Sequence, residues 1–382
     1  MLAPAQTLPT ERRPLASLSD CVEPWRRLAA HAAEPNVFYE PSFALAAAPV
    51  LGRDVEAILV WSADMPRRLV GVFPFRAAAR RYGVNLPVLV GWTHPFAPLG
   101  TPLVDRDVAA AVVASFLGRV AADALLPKIV LLPLLDDCGP VAQALRYTAE
   151  RSGGAHAAFG RHRRAALHPQ GDAAHYVEYA IGKKRHKEFK RLRRRLAEAG
   201  PVAFEVARSP DAVTAALQDF LALEAKGWKG GAGTALIQSP ELRHFAETSV
   251  DSLARHGQAG VARLLMGSRP IACIVTLQSG RGAWCWKIAY DESLARFSPG
   301  VQAMMELTEA LLADDTVTFA DSCATPDHPM IDHLWRERLA MADLMIGLQP
   351  GARFAVACRL ETARRRAIAW ARGVRDLLRR GR

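Results

Sequence analysis

The strongest constraint on the fold is an order of predicted elements that occurs twice, about 200 residues apart. Short apolar or alternating runs between turn residues predict strands, and a helical apolar period predicts helices. In each half, three strands precede a helix and one more strand: 55–61, 68–76, 84–92, 106–126 and 128–135, then 260–266, 269–280, 282–290, 300–313 and 316–323. We therefore expect an α/β (α+β) protein with two related lobes, each a mixed, mainly antiparallel sheet flanked by helices.

The rest of the chain sets the expected boundaries of these lobes. A basic helix is predicted over 182–199, a second helix starts at the Ser209-Pro210 cap, and 338–347 reads as one more strand. The predicted organisation is a flexible N-terminal segment over 1–20, an N-terminal lobe over 21–175, a C-terminal lobe over 176–350 and a basic amphipathic helix over 351–382.

The charge of this 382-residue chain is concentrated in two segments. The net charge is +11, yet residues 183–195 hold nine Lys or Arg and one Glu, and residues 359–382 hold nine Arg and two acids. The body is therefore mildly acidic, which favours local anion contacts over a general nucleic-acid interface. Without a signal peptide or a run of about 20 uncharged apolar residues, we expect a cytoplasmic protein. The six scattered cysteines predict reduced thiols, with no metal site.

A loop in the second half combines an arginine and a glycine at a predicted helix start. In "ARFSPGVQAM", Ser298 suits the N-cap and Pro299 the first helical position, which leaves the amides of Gly300, Val301 and Gln302 for an anion. Arg296 stands two residues before the cap and could clamp a phosphate. An ordinary helix cap is the alternative.

Four ordered blocks carry a resemblance to a known family: "KKRHKEFKRLRRRLAEAG", "FLALEAKGWKGGAGTAL", "YDESLARFSPG" and "FADSCATPDHPMIDHLW". The chain resembles the GNAT acyltransferase superfamily, and within it the acetyltransferases grouped with bacterial cellulose and polysaccharide biosynthesis, which have a FemAB-like two-lobed build. The resemblance implies that acetyl-CoA or another acyl-CoA is a co-substrate with no permanently bound cofactor. The pyrophosphate of the acyl-CoA would lie on the 296–302 loop, although this loop has only Gly300 of the glycine pattern that is usual in the superfamily.

Acyl transfer from a thioester to an amine needs a proton acceptor, oxyanion donors and a proton for the thiolate. The resemblance makes a strand amide within 287–290 the oxyanion contact. Asp321, at the end of an apolar strand, is the predicted base, with His328 next, and Tyr290 could protonate the thiolate. The alternatives are that Asp321 caps the following turn, that His328 forms a plain turn and that Tyr290 is a packing residue.

The acceptor is expected to meet a glycine-rich segment that follows a helix. In "LEAKGWKGGAGTAL", Gly227 ends the helix, Trp228 and Lys229 would form a lid that contacts an anionic acceptor, and Glu224 would orient it. Lys287 and His94 complete the predicted substrate-binding residues; His94, with Thr93 and Phe96, would line an acceptor cleft between the lobes. A surface loop with Trp228 in the core, and a rigid loop at His94, are the alternatives.

The leading hypothesis is an acyl-CoA-dependent N- or O-acyltransferase that acts on a sugar or amine in polysaccharide or envelope assembly. One alternative is an aminoacyl-tRNA-dependent FemAB-like transferase, in which the basic helix binds tRNA. The other is a non-catalytic scaffold held at an anionic membrane by the helix within 359–382. That helix could equally pack its apolar stripe, from Leu360 to Leu378, on the body, and the helix at 182–199 could be a solvated face.

Overall fold

The computed structural model describes residues 7–168, 173–349 and 351–380. Contacts divide the chain into two units, each assembled from separate segments. Unit 1 comprises the described residues of Met1–Glu34, Asp54–His162 and Ala340–Arg382, and unit 2 comprises those of Pro35–Arg53 and Arg163–Leu339.

The elements are numbered along the chain. The strands are β1 Thr10–Pro14, β2 Glu56–Trp61, β3 Leu69–Ala78, β4 Val88–Gly91, β5 Leu103–Val104, β6 Ile129–Asp136, β7 Ala155–Leu167, β8 Val202–Ala207, β9 Ala259–Met266, β10 Arg269–Ser279, β11 Gly282–Tyr290, β12 Phe319–Asp321 and β13 Glu337–Gly347. The helices are α1 Val22–His31, α2 Pro41–Leu51, α3 Ala109–Ala122, α4 Pro140–Arg151, α5 Ala173–Ile181, α6 Lys183–Ala197, α7 Pro210–Lys226, α8 Trp228–Gly231, α9 Pro240–Ala254, α10 Pro299–Leu312, α11 Ile331–Leu334 and α12 Ala352–Arg380.

Unit 1 contains strands in the order β1-β2-β3-β4-β6-β13, with β5 also paired to β3. Neighbours are antiparallel except β4 and β6, which run parallel with Leu89 opposite Val130. A parallel pair needs a crossover, and α3 supplies it. The core of unit 1 contains a stacked pair of rings, Phe73 from β3 and Phe116 from α3, with centroids 4.0 Å apart.

Unit 2 repeats this order with β8-β9-β10-β11-β12, followed by the last residues of β7. Its parallel pair is β11 and β12, with Ala283 opposite Ala320, and α10 is the crossover. Side chains from these strands, α5, α6 and α10 form one apolar core. The mixed α/β fold and the repeated order of elements are therefore confirmed.

The units differ from the predicted continuous lobes. Part of the segment that was predicted to be flexible forms regular structure: β1 pairs with β2 along its whole length, and Leu15–Cys21 is a 3-10 helix. Residues 35–53 join unit 2, where Phe43 of α2 packs edge-on against Phe245 of α9 with ring centroids 5.3 Å apart. Residues from Ala340 onward join unit 1, since this part of β13 pairs with β6. These contacts join residues that are far apart in the sequence, so the pattern of neighbouring residues does not reveal them.

The C-terminal helix α12 packs its first turns on unit 1. Ala357 is buried there, next to Phe354 and Leu360. Glu361 is also buried and forms ion pairs with Arg364 and Arg365. Farther along, Trp370 is 73 % exposed. The side chain of Leu378 lies outside the described residues. None of the described helices is both long and apolar enough to cross a membrane.

Candidate active site

A pocket of about 550 Å³ lies in unit 2, where the end of α7, the end of β11 and the start of α10 meet. This volume is within the range of small-molecule sites, about 300–1,000 Å³. Eight of the predicted site residues line the pocket: Glu224, Trp228, Lys229, Tyr290, Ser298, Gly300, Val301 and His328. They come from four separate stretches of sequence.

One wall of the pocket is the edge of β11. The parallel partner β12 is paired with β11 over only three residues, Gly282 to Trp284. Beyond Trp284, the structure describes no partner strand on this side, and the pocket is lined by Ile288, Ala289 and Tyr290. Because successive amides of a strand point to alternate sides, some N–H groups of this stretch face the open edge. They stand where an oxyanion contact is expected.

The start of α10 presents backbone amides at the same pocket. Ser298 has left-handed backbone angles (φ 52°, ψ 52°), Pro299 is the first helical residue, and no side chain caps the helix. The described hydrogen bonds include none from the amides of Gly300 and Val301. No acidic residue occupies the first turn, so the positive end of the helix dipole is not neutralised from within it.

Gln302 does not share this role, contrary to the prediction. Its amide donates to the Ser298 carbonyl at 3.1 Å, which closes the first helical turn. Its side-chain Nε2 donates to the Phe297 carbonyl at 2.7 Å in a buried position. Both groups are therefore used inside the protein.

Arg296 also differs from its predicted role as a phosphate clamp. It is exposed, its guanidinium lies 4.8 Å from the centre of the Phe297 ring, and it is not among the residues that line the pocket. Gly300 packs closely: a Cβ there would be 3.1 Å from Cδ1 of Tyr290, so a side chain would require the Tyr290 ring to shift by a few tenths of an ångström. The glycine keeps the helix start close to the end of β11.

The matching helix start in unit 1, that of α3, also lacks a side-chain cap and an acid in its first turn, but a buried carboxylate lies in the segment before it. The buried Asp105 carboxylate accepts from the Asp107 amide at 3.0 Å, just before α3 begins. It also lies 3.6 Å from Arg68 and 3.9 Å from His31. The first turns of α3 and α10 therefore both lack an acid, and Asp105 is bound within the segment that leads into α3.

The opposite wall of the pocket is built around Glu224. Its carboxyl group, 1 % exposed, accepts from Lys229 Nζ at 3.0 Å and from the Leu236 amide at 2.9 Å. Lys287 Nζ lies 3.6 Å from the same Glu224 oxygen as Lys229. Burial lowers the pKa of Lys287 to about 8, although Glu224 acts to raise it. Lys287 itself lies behind the pocket lining.

Trp228 lies at the surface of this wall, not in the core. Its side chain is 66 % exposed, and its amide donates to Glu292 Oε1 at 2.7 Å. As predicted, α7 ends before Gly227. The space around Gly230 excludes any larger residue, because a Cβ there would be 1.8 Å from the Ala225 carbonyl oxygen. The segment is therefore a tightly folded turn that presents an exposed aromatic ring.

His328 lines the pocket and has one ring nitrogen engaged. Its Nδ1 accepts from the amide of Met330 at 3.3 Å, with the Ile331 amide 3.5 Å away. An accepting Nδ1 carries no proton, so the proton of the neutral ring is on Nε2. In this tautomer His328 offers a donor and not a base. Tyr290 is 37 % exposed, and its hydroxyl is a second potential donor.

Asp321, the predicted base, does not line the pocket. It is 1 % exposed, accepts from Arg164 Nη1 at 2.9 Å, and uses its other oxygen to accept from the Cys323 amide at 2.8 Å. The second bond is the turn cap that we considered as the alternative. Since both oxygens are bound away from the pocket, the structure does not support Asp321 as the base. Burial and the charge of Asp321 also raise the pKa of Cys323.

His94 lies in unit 1 and is not among the residues that line this pocket. Its ring packs against Trp92 with centroids 5.1 Å apart, and its Nδ1 accepts from the Phe96 amide at 3.3 Å. Burial lowers the pKa of His94 to about 3, so the ring is neutral. The acceptor role of His94 stays a prediction.

The pocket lies almost entirely in a segment with a family match. Residues 183–328 match the acetyltransferase (GNAT) domain family. The match covers every lining residue except Pro329 and Met330. The match supports the resemblance to the GNAT superfamily. It does not extend to the cellulose and polysaccharide group within that superfamily.

Several solved structures have a similar fold. The C-terminal domain assigned to a lysylphosphatidylglycerol synthetase of Agrobacterium fabrum has a TM-score of 0.54 at 12 % identity, over 91 % of this chain and 96 % of that one. FemX has a TM-score of 0.53 at 11 % identity, over 84 % and 95 % of the two chains. A conserved Bacteroides thetaiotaomicron protein of unknown function has a TM-score of 0.53 at 11 % identity, over 90 % of this chain and 100 % of that one. No curated protein matches the chain.

These likenesses concern the fold, since the identities are low. The GNAT domain supports an acyltransferase, whereas the donor and the acceptor depend on the side chains of the pocket. Sequence reasoning missed the carboxylate of Glu292, which holds Trp228, and the lysine pair on Glu224. Glu292 lies in the acidic turn after β11, and that turn was the available signal.

Proposed function

We propose that this protein is an acyltransferase that uses an acyl-CoA, most simply acetyl-CoA, and acylates an amine or hydroxyl of a sugar or another small acceptor. The start of α10 carries this proposal. Two amides without a described partner, an uncapped helix end and a glycine lie at the wall of a cavity of about 550 Å³. Such an end favours phosphate groups.

The pocket also offers groups for the chemical step. The acceptor nitrogen attacks the thioester carbonyl carbon, a C–N bond forms, and the C–S bond breaks as the nitrogen loses one proton and the thiolate gains one. Amides at the open edge of β11 would donate to the oxyanion. The Tyr290 hydroxyl would supply the proton to the thiolate, and the His328 Nε2–H would donate a hydrogen bond to the same sulfur as it leaves.

Calorimetric titration with acetyl-CoA tests the donor site. Gly300→Glu places a negative charge on the helix start, which favours the helix but repels a phosphate, so acetyl-CoA affinity should fall at least about tenfold. Gly300→Ala adds the same Cβ without the charge, and it should retain most of the affinity. Absence of acetyl-CoA binding to the wild-type protein, or equal binding by Gly300→Glu, would contradict the proposal.

An aminoacyl-tRNA donor is the second candidate, favoured by the exposed basic helix α6. Lys183, Lys184, Arg185 and Lys187 are all exposed, at the start of the helix. Gel shifts with tRNA at low salt separate the two donors. A tRNA complex whose affinity falls steeply with salt would favour this candidate, and no complex would remove it.

We further propose that the protein works in the cytoplasm in polysaccharide or envelope assembly, at the surface of an anionic membrane. The exposed Trp370 on the Arg-rich helix α12 supports a peripheral contact. Vesicles with and without anionic lipid test it by sedimentation. The protein should co-sediment with anionic vesicles only, and Trp370→Ala should weaken this binding. Equal recovery with neutral vesicles would refute an electrostatic contact.

A further inference from the structure

One wall of the pocket contains two lysines that share one buried carboxylate. We refer to Glu224, Lys229 and Lys287 as the lysine cluster. A single carboxyl oxygen of Glu224 faces two ammonium groups, at 3.0 Å from Lys229 and 3.6 Å from Lys287. One carboxylate and two ammonium groups leave an excess of one positive charge. Glu224 is 1 % exposed and Lys287 13 %, so solvent screens this excess poorly.

The described contacts of Glu224 and Glu292 add no second carboxylate to the cluster. The second carboxyl oxygen of Glu224 is already bound by the Leu236 amide at 2.9 Å. Glu292 also lines the pocket, but among the described residues it pairs with neither lysine, and its Oε1 accepts from the Trp228 amide. Burial lowers the pKa of Lys287, which reflects the free energy required to keep a second ammonium there.

We propose that the lysine cluster binds an anionic group of the acceptor, a carboxylate or a phosphate. The assignment to the acceptor rests on the proposed acyltransferase function, in which the start of α10 holds the phosphates of the donor. Lys229 lines the pocket and would contact the anion directly, while Glu224 fixes its position and Lys287 adds charge from behind. The exposed ring of Trp228, next to Lys229, would cover a sugar ring or another apolar part of the same molecule.

Titration with inorganic phosphate and with sodium acetate, each at constant ionic strength, tests the anion site. Wild-type protein saturated with CoA has its donor site filled, so the remaining saturable binding reports on the lysine cluster. The Gly300→Glu protein without CoA gives the same information and does not require that CoA binds. The anion that binds more tightly indicates whether the acceptor carries a phosphate or a carboxylate.

Three variants assign this binding to the cluster. Lys229→Met should weaken it about tenfold or more, since a charge-assisted hydrogen bond is lost. Lys226→Met, at an exposed position three residues earlier, is the matched control and should change nothing. Glu224→Gln removes the negative charge and should strengthen binding, whereas a merely structural role predicts no gain.

Two results would overturn the inference. If neither anion bound with a Kd below about 10 mM, or if Lys229→Met bound them like the wild type, the cluster would not be an anion site. If CoA displaced the anion from the cluster, the site would belong to the donor and not to the acceptor. Failure of acetyl-CoA to bind would refute the proposed function but not the anion site. The phosphate and acetate titrations of Gly300→Glu use no CoA, so they would still test that site.

Discussion

Replacement of Lys287 by methionine should stabilise the folded protein at neutral pH. Burial of the ammonium lowers its pKa, and the partial compensation by Glu224 leaves it at about 8, against an ordinary value of 10.5. This difference corresponds to about 3 kcal/mol of unfavourable free energy for the charged side chain in the folded state. The side chain is only 13 % exposed, so solvent screening reduces this figure little.

Methionine has a similar length, carries no charge and suits a buried position. Glu224 would keep Lys229 and the Leu236 amide as partners, so its carboxylate would stay hydrogen-bonded. We therefore expect Lys287→Met to raise the free energy of unfolding by about 2–3 kcal/mol at pH 7.

The sign of the pH dependence follows from the lowered pKa. Below about pH 8 the folded protein carries the charged Lys287 and its full penalty. Between about 8 and 10.5 the folded protein releases this proton while the unfolded chain retains it, so the wild type gains stability as the pH rises. The advantage of Lys287→Met should therefore shrink over this range and vanish above it.

Urea unfolding followed by circular dichroism, between about pH 7 and pH 10, measures this advantage. The difference between the two proteins is the informative quantity, because burial also raises the pKa of Glu34 to about 8 and changes the stability of both proteins alike. Lys226→Met, at an exposed site, is the control. A destabilised Lys287→Met at pH 7, or an advantage that does not shrink with pH, would refute the reasoning.

Three further variants examine other parts of unit 2. Asp321→Asn leaves the buried Arg164 charge without its carboxylate, so the free energy of unfolding in urea should fall by about 3–5 kcal/mol while acetyl-CoA affinity stays unchanged. A loss of turnover without a loss of stability would instead favour a catalytic Asp321. Gly230→Ala should lower the melting temperature, since its Cβ would meet a backbone carbonyl of α7, whereas Gly231→Ala projects into open space and should not; equal melting temperatures would refute this packing. His328→Asn keeps an acceptor for the Met330 amide but removes the Nε2–H that would hydrogen-bond the leaving thiolate, so turnover should fall about 100-fold with folding intact; unchanged turnover would exclude this role for His328.

Much of the fold was predictable because its signals are local. Apolar alternation located the hairpin β9–β10 and strand β11, the Ser-Pro dipeptide located the start of α10, and Gly227 located the end of α7. A strand or helix follows from side chains a few residues apart, so one stretch of sequence contains the necessary information. The same signals gave Ser298, Gly300 and Trp228 as site residues, and all three line the pocket.

The roles of the charged residues could not be read in this way. Asp321 looked available for catalysis because its partner Arg164 is 157 residues away along the chain. Arg296 looked like a phosphate clamp because its neighbour Phe297 gave no sign that it would stack beneath the guanidinium. A side chain's protonation and availability depend on all groups around it, and these come from distant segments.

The sequence alone determined the order of the elements, the repeat and the open helix start, since each depends on neighbouring residues. Only the tertiary structure decided that residues 35–53 pack in unit 2, that β13 pairs with β6, and that two lysines share Glu224. The physical reason is that pairing, burial and electrostatic interaction act through space. Their strength is set by distances that exist only once the chain has folded.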